Sequence, residues 1–303
     1  MTSFHIEVKP PFRLDLTVWA LRRRSVNQID RWDSTTYRRT VFVDDTPAEL
    51  GITQVGKTER PRLRVSVTGS VSRASHKALR ETVNRMLGLD IDLTPFYEIA
   101  AQHAHLNNLA IRFRGMRPPR FPTIFEALVN GVACQQLSLE AGLSSLNKLV
   151  AAHGQAPPSR LEAGKAFPQP AKLAHTSLES LRSLGFSYRK SAAIIEIASA
   201  IERRDFRPDQ LNELGDDALQ TRLDQLRGVG RWTAEYVLLR GYGRLNIFPG
   251  DDVGARNSLK RWLGRRQALD YERTKKLLRR WQPYSGLIYL HLLLKYLEER
   301  EMF

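Results

Sequence analysis

Apolar residues change their spacing part-way along this 303-residue chain, and that change narrows the fold more than any other feature. Leu63, Val65 and Val67 alternate with Arg64, Ser66 and Thr68, the period of a strand with one buried face, and Tyr37 to Val43 is rich in β-branched and aromatic residues. The segment from Trp19 to Ile29 reads as helix within this strand-rich part. Beyond it, Phe125, Leu128, Val129 and Val132, then Leu143, Leu146 and Leu149, recur at helical spacing. The expected fold class is therefore α+β: a mixed α/β, β-rich first domain over residues 1–85, and a mostly α-helical body over residues 86–303, with helix predominating from about Ser75. Two proline-bearing stretches punctuate the chain. Arg117 to Pro122 must be extended, and Ala156 to Pro170 reads as a surface loop.

Composition removes several classes of function. The single Cys134 cannot form an intramolecular disulfide or supply the thiolates of an iron-sulfur or structural zinc site, which fits a reducing, cytoplasmic compartment. The histidines show no metal-ligand spacing joined to cysteines, so no metal site is expected and a zinc deaminase is not supported. No GxxxxGK[ST] loop is present. The N-terminus lacks a basic region followed by an apolar run, and the longest apolar stretch, Leu287 to Leu297, is interrupted by His291 and Lys295, so neither a signal peptide nor a membrane partner is expected. Against this, 47 Lys and Arg outnumber 32 Asp and Glu, a net charge of +15. Such an excess makes a polyphosphate the first partner to consider, because clustered Lys and Arg release counterions on binding it.

Chemistry concentrates in Leu226 to Tyr236, LRGVGRWTAEY. A helix runs into a turn carrying Gly228 and Gly230 and restarts at once. Two close glycines let the backbone take positive φ and approach another surface, while unpaired N–H groups opening the second helix can hold a phosphate oxygen. A plain helical hairpin with a glycine cap satisfies the same pattern. Further on, FPGDDVGAR places an acidic pair after a Pro-Gly turn and before another helix. Asp252 there reads either as an N-cap, worth about 1 kcal/mol, or as a reactive carboxylate.

Together, LRGVGRWTAEY and the aspartate of DDVGAR resemble the helix-hairpin-helix motif and catalytic aspartate of the helix-hairpin-helix DNA glycosylase superfamily, and within it the 3-methyladenine DNA glycosylase II group. FEALVNGVACQQLS and LGFSYRKSAAI resemble other helices of that group, and PFRLDLTVWALRRR with DRWDSTTYRR resembles its β-rich first domain. The resemblance implies a hairpin at 220–240, whose backbone around Gly228, Gly230, Arg231 and Thr233 grips DNA, with Arg227 standing where proline is common and able to add a phosphate contact. It implies a catalytic loop at 248–256, where Asp252 stabilises positive charge on the sugar and Asp251 is a capping or solvated neighbour. Trp232 stands where strand-cleaving relatives carry a lysine nucleophile, which implies a monofunctional hydrolase. Tyr236, one turn on from Trp232, is the aromatic face for a cationic alkylated purine. Leu293 replaces a stacking tryptophan, leaving Tyr284 or Tyr289 to supply a ring, and Gln136 matches the wedge that fills the gap left by a flipped base. The implied partner is double-stranded DNA containing damaged bases, met by a monomer. No cofactor is implied, although the resemblance allows a monovalent cation at the hairpin carbonyls. Rival readings are a glycosylase for deaminated or oxidised purines and a non-catalytic binder of distorted DNA.

Overall fold

In the computed structural model, which describes residues 2–68, 75–158 and 164–302, the period-two segment becomes the centre of a sheet. Leu63, Val65 and Val67 lie on β5 (Arg62–Thr68), all without solvent exposure. β5 pairs with β1 (Thr2–Glu7) on one side and β4 (Thr46–Gln54) on the other. β3 (Thr36–Val43) and the short β2 (Arg31–Trp32) complete an antiparallel order β1-β5-β4-β3-β2. The register sets Val65 opposite Ile52 and Val67 opposite Leu50, so one face is continuously apolar. That face packs against α1 (Leu14–Arg22) through Leu14, Val18 and Leu21, and against α2 (Ser75–Leu87) through Leu79, Val83 and Met86.

The expected helix from Trp19 to Ile29 is corrected here: α1 starts earlier and stops at Arg22. Arg23 enters the left-handed region at φ 64°, and the Asn27 side chain then replaces helical bonds, accepting from the amides of Ile29 and Asp30.

From α2 onward the chain is helical, as the spacing predicts. One apolar core gathers α5 (Ile124–Cys134), α6 (Leu139–His153), the short α7 (Pro170–Ala174) and α8 (Leu178–Ser183), α9 (Tyr188–Glu202), α10 (Asp216–Asp224) and α11 (Arg231–Val237). A second gathers α3 (Thr94–Ala101), α4 (Ala104–Arg112), α12 (Val253–Trp262), α13 (Tyr271–Leu278) and α14 (Ser285–Glu298), together with Leu16, Trp19 and Ala20 of α1. The stretch Arg117 to Phe121 is extended as expected and crosses between the parts, with the Phe121 amide donating to the Arg240 carbonyl at 2.9 Å. Of the loop expected at 156–170, residues 159–163 lie outside the described residues.

A buried ion cluster fastens sheet to helices. Arg39 on β3, 1% exposed, donates to Asp30 at 2.7 Å and to Glu126 on α5 at 2.6 Å, and Tyr37 donates to the same Asp30 oxygen at 2.7 Å. Leaving one partner unpaired in such a setting is expensive, so the cluster fixes how the first domain sits on the body.

Candidate active site

The hairpin forms because α10 cannot continue past Arg227. Gly228 lies at φ +77°, and an added Cβ would stand 2.6 Å from the Ala193 Cβ, so only glycine fits. Gly230, by contrast, is an extended N-cap at φ −109° with open space around it. The sequence-based expectation of positive φ for both glycines thus holds for Gly228 alone. Between them Val229, 5% exposed, plugs the turn into the core. The first helical bond of α11 is Ala234 to Gly230, at 2.9 Å, which leaves the amides of Arg231, Trp232 and Thr233 without intrahelical acceptors.

Two expected DNA contacts are corrected. The Thr233 side chain is fully buried and its hydroxyl accepts from Gln135 at 2.6 Å, so only the Thr233 amide remains available. Arg227 is held by Glu196. Gln135 also donates to the Gly228 carbonyl at 2.7 Å, which ties the end of α5 to the turn. Its neighbour Gln136 is exposed, with φ 52°, and stands at the mouth of the site beside Leu137, an apolar side chain 48% exposed that sequence reasoning missed.

The acidic loop is held from the hairpin side. Glu235 on α11 accepts the Gly250 amide at 2.9 Å and the Tyr271 hydroxyl at 2.6 Å; burial pushes its carboxyl above the usual range. Arg231 lies over the Tyr271 ring at 3.9 Å and binds Asp251 at 2.7 Å. Arg231 thus braces the acidic loop as well as flanking the turn. Asp252 then opens α12. One carboxylate oxygen accepts the Ala255 amide at 2.8 Å, and the other accepts the Tyr289 hydroxyl at 3.0 Å. Both readings of Asp252 therefore hold at once, since the same group caps a helix and faces a cavity. Burial and the neighbouring Asp252 charge keep the Tyr289 hydroxyl protonated far above neutral pH.

That cavity encloses about 860 Å³ and brings together Gln136, Gly230, Arg231, Trp232, Thr233, Tyr236, Asp252, Tyr289 and Leu293. Gly228 lies outside its lining, in the turn behind. Trp232 stacks on Tyr236 with ring centres 5.4 Å apart and planes 19° apart. Tyr236 is only 3% exposed, so half-buried Trp232 offers the accessible aromatic face. Of the two tyrosines proposed to stand in beside Leu293, Tyr289 lines the cavity, whereas Tyr284 packs edge-on against Phe96 elsewhere.

Sequence reasoning also missed Arg23 and Arg240, which line the inner wall. The run Arg22-Arg23-Arg24 looks like a solvated basic patch in sequence, yet its members are 7%, 5% and 7% exposed. No local pattern reports this, because Arg23 meets Tyr236 across 213 positions. Among the described residues no group of three His, Cys, Asp or Glu side chains is placed to hold a metal ion, and no helix is long and apolar enough to cross a membrane.

Comparison with known proteins gives a consistent picture. Residues 129–283 match the HhH-GPD superfamily of base excision DNA repair proteins, and residues 3–122 match the AlkA N-terminal domain. A DNA-3-methyladenine glycosylase of Bacillus subtilis (strain 168) is 33% identical over 59% of this chain; the chain spans about 59% of that relative's length. DNA-3-methyladenine glycosylase 2 of Escherichia coli (strain K12) is 24% identical over 94% of both chains. A 3-methyladenine DNA glycosylase from Archaeoglobus fulgidus superimposes with a TM-score of 0.84 and 25% identity, covering 96% of this chain and 97% of that one.

Proposed function

Since the chain belongs to the HhH-GPD superfamily of base excision DNA repair proteins, we propose that it is a monofunctional DNA N-glycosylase that flips alkylated purines out of duplex DNA and hydrolyses their N-glycosyl bond. The observation that carries this reading is the Asp252 carboxylate, fixed by the Ala255 amide and the Tyr289 hydroxyl within the cavity that Trp232 and Tyr236 also line.

The geometry fits the reaction step by step. Breaking the glycosyl bond builds positive charge on the sugar, and a carboxylate that needs no reorganisation stabilises it. A base in a duplex cannot reach Asp252, so the nucleotide rotates into the cavity; the cost is lowest for a lesion that pairs badly. Gln136, exposed at the rim, fills the vacated position. The free amides of Arg231 to Thr233 and the Gly228–Gly230 turn hold a backbone phosphate without reading sequence. A cationic 3-methyladenine or 7-methylguanine gains up to about 2 kcal/mol from the Trp232 face.

Among the described residues no lysine lines the cavity. A sugar–enzyme Schiff base therefore has no amine to form it, which supports hydrolysis to an abasic site rather than strand cleavage. At the hairpin, the Gly228 carbonyl already accepts from Gln135 and the Leu226 carbonyl from Val229, so the turn does not fit a cation cage and no step is routed through one. Every group in this account comes from one chain, so a monomer acting on damaged duplex DNA suffices.

The test is release of free base from duplex DNA treated with a methylating agent. Released 3-methyladenine or 7-methylguanine, with strand breaks appearing only after alkali, is the expected result. Breaks before alkali would contradict the monofunctional assignment, and absence of released base would contradict the substrate.

A further inference from the structure

The inner wall of the cavity carries more positive charge than the reaction on an alkylated purine calls for. Arg23 and Arg240 both line it, 5% and 1% exposed. The left-handed backbone at Arg23 (φ 64°) takes the chain out of α1, and its guanidinium lies inside, donating to the Tyr236 hydroxyl and to Asn130, each at 2.8 Å. Arg240 donates to the Ala20 and Leu21 carbonyls at 2.9 and 3.3 Å, at the C-terminal end of α1. The Nε of each arginine has no hydrogen-bond partner, and among the described residues neither arginine forms an ion pair. The nearby acids Asp30 and Glu126 are both taken by Arg39.

Two buried guanidiniums with neutral partners are a costly arrangement, because arginine stays protonated and its charge must be compensated inside the protein. Local rules are broken in this way where a site uses the resulting field. Tyr236 passes that field to the cavity. Its oxygen accepts from Arg23, and among the described residues no acceptor takes its own proton. The wall therefore offers a polarised O–H donor backed by two cations.

Leaving-group chemistry decides what such a wall suits. When the glycosyl bond breaks, its electron pair goes to the purine. An N-alkylated, cationic purine leaves as a neutral molecule and needs no help at the base end. A neutral purine leaves as an anion, and fixed cations with a donor stabilise that charge as it develops.

We propose that Arg23, acting through the Tyr236 hydroxyl and backed by Arg240, is a specificity-determining residue that adapts the cavity to neutral purines bearing an exocyclic oxygen. This rests on reading the chain as a DNA glycosylase and extends its substrates beyond alkylated bases. In the step, the C1′–N9 bond breaks with its electron pair moving to the purine, while Asp252 stabilises the positive sugar. The oxygen of water then bonds C1′, and the proton that water loses ends on the purine. No further reactant is needed.

Duplexes carrying either hypoxanthine or 7-methylguanine, under single-turnover conditions, test the proposal. The wild-type protein is expected to release both. Tyr236→Phe, which removes only the hydroxyl, and Arg23→Gln should each lower the hypoxanthine to 7-methylguanine rate ratio by about tenfold or more, the scale of one charge-assisted hydrogen bond. Arg23→Lys should retain more of the ratio than Arg23→Gln. A ratio is insensitive to the fraction of protein folded, so destabilised variants still report. Release of 7-methylguanine without hypoxanthine by the wild type, or a ratio unchanged within about twofold in both Tyr236→Phe and Arg23→Gln, would overturn the proposal alone. Release of neither base would overturn the glycosylase reading and this proposal with it.

Discussion

Asp252 and His291 show how differently single residues report themselves. A carboxylate after Pro-Gly and before a helix is legible as an N-cap from sequence, and its match to a family position makes it legible as a reactive group. What sequence does not contain is Tyr289, 37 positions away, which holds the second oxygen. Arg23 and Arg240 are hidden for the same reason, since their partners come from elements distant along the chain. His291 looks in sequence like a polar break in an apolar run. It is in fact fully buried between Phe96 and Phe113, with Nδ1 2.8 Å from the Leu287 carbonyl and no partner for Nε2. Burial pulls its pKa down to about 4 from an ordinary 6.5. Its folded-state pKa is depressed, so its contribution is intact above about 6.5 and is lost as pH falls towards about 4. Denaturant unfolding should show the wild type losing on the order of 3 kcal/mol more than His291→Gln across that window. Parallel pH profiles for the two proteins would contradict this.

At the scale of elements, periodicity located the sheet and the helical body because strand and helix bury their faces with different repeats. It misplaced α1, whose end depends on a left-handed residue and an asparagine side chain rather than on apolar spacing. The hairpin was readable from its glycines, but their separate roles were not. Gly228 is fixed by its backbone and by Ala193, whereas Gly230 has neither constraint. The two therefore separate folding from binding. Gly228→Val should lower thermal stability as well as DNA affinity. Gly230→Val should leave the melting temperature close to wild type and weaken DNA binding by about tenfold, because its branches crowd the amides a phosphate must approach. Undiminished affinity in folded Gly230→Val would remove the turn as a DNA contact.

For the whole molecule, the net charge of +15 pointed to nucleic acid, although several of the arginines counted in it are buried and serve architecture or the cavity wall. Arg39 is the clearest architectural case, joining β3 to α5 through Asp30 and Glu126. Arg39→Met leaves two buried carboxylates unpaired and should cost about 3–5 kcal/mol in urea unfolding; a loss under about 1 kcal/mol would contradict the latch. The central claim concerns what the assembled chain does, and it rests on Asp252. Asparagine caps helices as well as aspartate, so Asp252→Asn removes the charge while preserving α12. Base release from methylated duplex DNA, measured in a single turnover beside DNA affinity, should fall by on the order of a hundredfold or more in this variant, with affinity equal or higher through reduced repulsion of phosphates. Base release at the wild-type rate by Asp252→Asn would contradict the account.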